Sequence, residues 1–132
     1  MKEKPFVLFF DRNKDFADTY RNLINVLGYE TQSCYSPDDI LRINDELEKN
    51  MKYIDAAFLN LCPELESGNW EILDRLRIRN PLIKIFAISS NEFHPIMRDP
   101  RPFFNGSIIK PFSGQVLEVI LEQVVFDVEV VK

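Results

Sequence analysis

The spacing of hydrophobic positions changes along the chain, and each change predicts a different element. Phe6 to Phe10 is apolar at five consecutive positions, which is typical of a strand covered on both faces in a parallel sheet. After residue 13 the spacing becomes helical, and one face of the predicted helix carries Phe16, Tyr20, Leu23, Ile24 and Leu27. Asn13 is suited to cap this helix and Gly28 to end it. Together they predict a first strand–helix unit.

The same alternation continues to the end of the chain. Further strands are predicted at 29–35, 53–61, 82–89 and 106–110. Helices are predicted after Ser36, over 68–79 and after Ser113. Alternating strands and helices with right-handed crossovers imply an α/β fold, a doubly wound parallel sheet of five strands, (βα)5.

Each of the later predicted helices carries one apolar stripe. The second helix has Ile40, Ile43, Leu47 and Met51 on one face, and the last has Val116, Leu117, Ile120, Leu121 and Val124. In the third helix Trp70, Leu73 and Leu76 are predicted to point inward, whereas Arg75, Arg77 and Arg79 are predicted to be solvated. Asn80 and Pro81 should end that helix.

Two segments depart from regular alternation. "SSNEFHPIMRDPRPFF" occupies 89–104, where a fourth helix is expected, and its prolines cost a helix interior roughly 3 kcal/mol each. We therefore expect an irregular fourth-helix region. After residue 125, "FDVEVVK" alternates like a strand, although Val124, Val125, Val128 and Val131 also fit a helical stripe. We favour a sixth, edge-type strand that pairs with another chain.

Composition and length restrict the function classes. The 132 residues fit one domain over 1–132, with a core of about 5–125 and a C-terminal extension at 126–132. A net charge of −5 without a Lys/Arg-rich run argues against a nucleic-acid partner. The N-terminal apolar run is too short for a signal peptide or a membrane span. Cys34 and Cys62 form no CxxC motif, so a reduced cytoplasmic protein without a membrane partner is expected.

Chemically active side chains follow the predicted strands. Asp11 and Arg12 follow the first strand and Asn60 ends the third; Ser89 ends the fourth and Lys110 the fifth. In an open α/β sheet, ligands bind outside the carboxyl ends of the strands. We therefore expect these five side chains to converge at one edge of the sheet.

Those positions resemble a response-regulator receiver domain, the CheY-like family within the flavodoxin-like folds, over about residues 5–125. The resemblance rests on the spacing from Asp11 to Gly28, including the "LGYE" ending, and on Asn60 with Gly68 eight residues later. It also rests on Ser89 and on the "KPF" sequence that begins at Lys110.

The resemblance implies a role for each of these positions. Asn60 corresponds to the phosphoacceptor aspartate, Asp11 and Arg12 to the acidic pair that holds Mg²⁺, and Ser89 and Lys110 to the switch hydroxyl and phosphate-binding lysine. It also implies a cis peptide bond before Pro111. In such a domain a carboxylate attacks a phosphodonor and Mg²⁺ neutralises the phosphoryl charge.

This sequence departs from the pattern at Asn60 and Arg12. An amide cannot form a stable acyl phosphate, and a permanent cation stands where the metal should be held. We therefore expect Mg²⁺ binding to be weak or absent, with Asp11 as a vestigial ligand, no other metal or cofactor, and no enzymatic activity.

Several alternatives remain at this site. Asn60 could hydrogen-bond Lys110 or Arg12 and mimic a neutralised state, or merely fill an abandoned position. Asp11, Arg12 and Lys110 could form a structural charge cluster. The main rival is an unconventional phosphoacceptor, but a substitute nucleophile is hard to find. Asp55 should lie about 16 Å from Asn60 along the strand, toward the opposite edge of the sheet. Glu64 and Glu66 lie in the following loop, where a carboxylate lacks the positioning that catalysis requires.

The expected function is that of a pseudo-receiver in two-component phosphorelay signalling. It would act through other signalling proteins, a histidine kinase or a downstream effector, and the sequence leaves a homodimer open. A nucleotide- or flavin-binding domain is disfavoured, because the turn after the first strand, "DRNKD", contains no glycine that would let the backbone approach a phosphate.

Overall fold

The computed structural model describes residues 4–61, 71–90 and 104–131. These residues form five strands and four helices, labelled in chain order. The elements are β1 (Phe6–Phe10), α1 (Lys14–Val26), β2 (Glu30–Cys34), α2 (Pro37–Lys49), β3 (Ala56–Asn60), α3 (Glu71–Arg79), β4 (Lys84–Ser89), β5 (Gly106–Ile109) and α4 (Gly114–Val131).

The strands form one parallel sheet in the order β2-β1-β3-β4-β5. This confirms the predicted five-stranded, doubly wound α/β sheet. Because all strands run the same way, their carboxyl ends lie at one edge, which we call the carboxyl edge, and their amino ends lie at the opposite, amino edge. The connection from β1 goes outward to β2 and then back across to β3, so the strand order reverses beside β1.

The helix ends follow the local signals in the sequence. The backbone N–H of Phe16 donates to Asn13 Oδ1 at 3.1 Å, and that of Asp39 donates to Ser36 Oγ at 3.2 Å. Gly28 follows α1 with a φ of 101°, a conformation that a glycine adopts without steric cost. The predicted caps at Asn13 and Ser36 and the predicted end at Gly28 are confirmed.

Each face of the sheet has its own core. Alternate residues of β1 divide between the faces, so Phe10 packs with Leu59 on one side while Phe9 packs with Phe58 on the other. The first core is covered by α2 and α3, the second by α1 and α4. Coverage on both faces explains why the central strands β1 and β3 are apolar at consecutive positions, whereas the edge strand β2 is mostly polar.

The predicted sixth strand is wrong. The helix α4 continues through Val131, so most of the extension at 126–132 is helical backbone. No proline or glycine follows Gly114, and the helical spacing of the valines therefore prevails over the two-residue alternation. Because this extension is helical, it does not support the predicted pairing of an edge strand with another chain.

Three side chains also differ from the predicted stripes. Met51 lies beyond the end of α2 and is 89% exposed. Val116 in α4 is 43% exposed. Arg79 is largely covered, because its guanidinium donates hydrogen bonds to the Lys52 carbonyl and to Asn80 Oδ1. Trp70 and residues 91–103, most of the proline-rich segment, lie outside the described residues.

Candidate functional site

The sheet register aligns the predicted site positions at the carboxyl edge. Phe10 of β1 pairs with Leu59 of β3 in parallel register. The residues that follow them, Asp11 and Asn60, therefore lie side by side. Asn60 in turn pairs with Ile88 of β4, immediately before Ser89. The structure therefore places three of the predicted positions at neighbouring strand ends.

Asp11 is buried and uses both carboxylate oxygens. Its side chain is only 2% exposed. Oδ1 accepts a hydrogen bond from the backbone N–H of Asn13 at 2.8 Å, and Oδ2 accepts one from Lys110 Nζ at 2.8 Å. The carboxylate thus anchors the start of α1 and the end of β5 at once.

Lys110 follows β5 and is held in place through both its backbone and its side chain. Its backbone N–H donates to the carbonyl of the buried Ser89 at 2.7 Å, and its peptide bond to Pro111 is cis, as the resemblance implied. The ammonium nitrogen also lies 4.1 Å from the centroid of the Phe16 ring. A cation over an aromatic face is attracted by the ring quadrupole. Lys110 is therefore held by a carboxylate and an aromatic ring.

An aromatic layer beneath Lys110 fixes the turn that carries it. The Tyr20 hydroxyl donates to the Phe112 carbonyl at 2.7 Å, and the two rings lie 4.5 Å apart between centroids. Phe112 also meets Phe16 edge-on at 6.0 Å. Burial raises the pKa of Tyr20, which keeps its hydroxyl protonated as a donor. The sequence pattern indicated only that Phe16 and Tyr20 face the core, because nothing local identifies a partner 92 positions away.

Asn60 is half-buried, and its carboxamide makes no hydrogen bond to another described residue. The predicted alternative in which Asn60 hydrogen-bonds Lys110 or Arg12 is therefore absent from the described contacts. Lys110 donates to Asp11 instead. Arg12 itself is exposed beside the buried Asp11. Of the predicted charge cluster, the Asp11–Lys110 pair is present.

Asp55 lies at the opposite edge of the sheet. Its Oδ2 accepts a hydrogen bond from the backbone N–H of Phe6, the first residue of β1, at 2.8 Å. This placement agrees with the separation expected from the strand length. Glu64, Glu66 and Cys62, which the sequence also brought near the site, lie outside the described residues.

The described part of the chain has neither a metal-ligating cluster nor a membrane-spanning helix. Among the side chains that the structure describes, those of 4–61, 71–90 and 104–124, no three or more of His, Cys, Asp or Glu come together in a group that could hold a metal ion. No helix in the same ranges is long and apolar enough to span a membrane.

Solved structures resemble this chain over nearly its whole length. A response-regulator receiver domain protein from Clostridium thermocellum superposes with a TM-score of 0.77 at 16% identity, covering 97% of this chain and 99% of that one. A CheY-like receiver from Methanospirillum hungatei gives 0.75 at 16% identity, covering 96% and 98%. One from Methylobacillus flagellatus gives 0.70 at 21% identity, covering 92% and 99%. This chain has the receiver-domain fold.

The receiver fold accounts for the convergence of Asp11, Asn60, Ser89 and Lys110, since each follows or ends a strand at the carboxyl edge. The sequence itself matches no family model and no curated protein. At these identities the structural neighbours establish the fold, whereas the chemistry of the site depends on the residues present in this chain.

Proposed function

We propose that this receiver-fold chain serves two-component signal transduction as a pseudo-receiver, a protein-interaction module whose conformation does not depend on its own phosphorylation. The observation that carries this proposal lies at the ends of β1 and β3. There Asn60 lies beside Asp11, and Asp11 is already bound to Lys110. The structural neighbours named as response-regulator receivers support the signalling context. The module would act by binding other proteins and not by catalysing a reaction.

The first support is the absence of a nucleophile at the acceptor position. Phosphoryl transfer to a receiver requires a carboxylate oxygen to attack phosphorus while the donor departs as leaving group. The Asn60 carboxamide oxygen carries no full negative charge, and attack through it would not give a stable acyl phosphate. Asp55 cannot substitute, because it is engaged with Phe6 at the amino edge.

The second support is that the residues present do not suit Mg²⁺. That ion favours carboxylate and water oxygens in a compact octahedral shell. Both oxygens of Asp11 already accept hydrogen bonds, and Arg12 places a permanent positive charge at the next position. The donor set is therefore one carboxylate that already accepts two hydrogen bonds, next to a cation, and it does not fit Mg²⁺.

The third support is that Asp11 neutralises the positive charge of Lys110. The resemblance assigns this lysine to bind phosphoryl oxygens, and here the buried Asp11 supplies the negative charge at 2.8 Å. Lys110 is thus satisfied without a phosphoryl group, which favours a single conformation at the carboxyl edge. We propose that this fixed cytoplasmic module contacts a histidine kinase or a downstream effector.

Treatment with Mg²⁺ and a small phosphodonor, followed by intact mass spectrometry, tests the proposal. The wild-type chain should keep its mass, while a conventional receiver treated in parallel should gain one phosphoryl group. A stable adduct on the wild-type chain would overturn the pseudo-receiver proposal and favour the rival, a phosphotransfer switch with an unconventional acceptor. Peptide mapping of that adduct would then locate the acceptor.

A further inference from the structure

A cavity of about 240 Å³ opens at the amino edge of the sheet, the end opposite Asp11 and Lys110. Its lining includes the buried side chains of Phe6 and Ile54, and part of its wall is the loop that leads from α2 to β3. The volume is below the roughly 300–1,000 Å³ of pockets for drug-sized ligands. The cavity thus suits a small metabolite.

Exposed apolar side chains surround this cavity. Met51 is 89% exposed, Tyr53 61% and Leu82 53%, and all three line it. They are three of the eight large hydrophobic side chains that are exposed in the described part of the chain. Met51 also has a φ of 58°, a conformation uncommon for a residue with a side chain. A cluster of exposed apolar side chains around a concave surface is typical of an interaction site.

The charged groups of the lining come in both signs. Two ammonium groups, Lys4 and Lys52, and two carboxylates, Glu30 and Asp55, belong to it. Lys52 Nζ lies 3.0 Å from Glu30 Oε1, with both side chains more than 40% exposed at 43% and 46%. Such an exposed pair contributes little to stability, so a ligand can exchange for either partner at small cost.

The helix ends beside the cavity already have cations of the chain. The helices α2 and α3 end at Lys49 and Arg79, and the residues that follow each end line the cavity. The partial negative charge at the carboxyl end of α3 is met by the Arg79 guanidinium, which donates to the Lys52 carbonyl and to Asn80 Oδ1. The groups that a ligand would contact are therefore the Glu30 carboxylate, the ammonium groups of Lys4 and Lys52, and the exposed apolar side chains.

We propose that this cavity binds a hydrophobic α-amino acid in its zwitterionic form. The ligand's ammonium group would be received by Glu30, and its carboxylate by Lys52 and Lys4; Asp55 already accepts a hydrogen bond from the backbone N–H of Phe6. Its side chain would pack against Tyr53 and the neighbouring apolar groups. The site is separate from the carboxyl edge, and it does not rest on the pseudo-receiver proposal.

Titration of the ¹⁵N-labelled protein with L-phenylalanine tests the site, with amide chemical shifts as the readout. Shifts are expected at 51–55, Asn80 and Leu82, and none around Lys110. Phenethylamine lacks the carboxylate and 3-phenylpropanoate lacks the ammonium, so each should bind about tenfold or more weakly. Equal binding of either analogue would overturn the zwitterion assignment, and absence of shifts with L-phenylalanine would overturn the site.

Variants give an independent check. Tyr53→Ala and Lys52→Gln should each weaken L-phenylalanine binding by about tenfold. Ile78→Ala is the matched control, because Ile78 is 82% exposed but does not line the cavity, and it should bind like wild type. The amide spectrum of each variant shows directly that it is folded. Shifts at 51–55 that depend on protein concentration without ligand would mean that a second copy fills the cavity, and would overturn the proposal.

Discussion

Lys110 Nζ donates a 2.8 Å hydrogen bond to Asp11 Oδ2, joining residues 99 positions apart in sequence. The contact connects the end of β1 with the end of β5 across the carboxyl edge, and the Asp11 side chain is almost fully buried. A buried carboxylate with a single cationic partner is a strong constraint, because loss of either charge leaves the other uncompensated.

The charge of Asp11 should contribute to stability. Asp11→Asn keeps an oxygen that can accept from Asn13 but leaves the Lys110 ammonium without its counterion, so we expect a loss of about 1–3 kcal/mol in the free energy of unfolding. Urea denaturation followed by circular dichroism measures it. Arg42→Gln is the control, because Arg42 forms ion pairs with Asp39 and Glu46 on the surface. That variant should leave the midpoint unchanged; an equal effect of both changes would contradict a special role for Asp11.

Introducing an acid at positions 12 and 60 should give this chain the receiver reaction. In Asn60→Asp with Arg12→Asp, a nucleophile is placed at the β3 end and a carboxylate replaces the cation beside Asp11. We expect Mg²⁺-dependent phosphorylation, detected as a mass increase after treatment with a small phosphodonor. Arg12→Asp alone retains the amide and should stay unmodified. If the folded double variant also stays unmodified, the surroundings of the site have diverged beyond these two positions.

A buried amide network should hold the amino edge together. Asn80 Oδ1 accepts from the backbone N–H of Ile54 at 2.8 Å, and Nδ2 donates to the Leu76 carbonyl at 2.8 Å and to Asn44 Oδ1 at 3.0 Å. Asn80→Ala removes all of these, and we expect a loss of about 1–3 kcal/mol in the free energy of unfolding.

Two further variants test the Asn80 network by urea denaturation. Asn44→Ala removes only the bond between the two amides and should cost less than Asn80→Ala. Asn25→Ala, at an exposed position of α1, should leave the midpoint unchanged. A cost for Asn80→Ala no larger than that for Asn44→Ala would show that the contacts to Ile54 and Leu76 add nothing.

Cys34 should make stability fall at high pH. Burial, with a smaller contribution from the charge of Asp39, raises the pKa of its thiol from 9.0 to about 12. Above pH 9.0 the unfolded chain loses this proton while the folded chain keeps it, so stability from this group declines as the pH rises from 9.0 towards 12. Urea midpoints across this range should fall more steeply for wild type than for Cys34→Ala. Parallel curves would contradict this contribution.

Local signals were sufficient for most of the fold. The five apolar residues of β1 and the capping side chains of Asn13 and Ser36 identified their elements, because strand and helix periods and capping bonds involve residues only a few positions apart. At the end of α4 the apolar residues fit both a helical and a strand period, and the strand interpretation was wrong. There a local pattern alone did not discriminate between the two structures.

The site was predictable as a set of positions but not as a set of contacts. Strand ends and the receiver resemblance selected Asp11, Asn60, Ser89 and Lys110. The sequence also offered a charge cluster of Asp11 with Lys110, but it did not decide between that cluster and a hydrogen bond between Asn60 and Lys110. Arg79, expected to be solvated, instead donates to the carbonyl of Lys52. Such choices depend on geometry between distant segments.

The sequence by itself determined the order of strands and helices, the parallel sheet and the presence of an amide rather than a carboxylate at position 60, because these follow from periodicity and residue chemistry along the chain. The tertiary structure alone decided the Asp11–Lys110 pair, the Asn80 network and the cavity beside Met51 and Tyr53. The physical reason is that a hydrogen bond or a cavity depends on distances of a few ångströms between segments that are far apart in sequence, and those distances are set only when the two cores pack against the sheet.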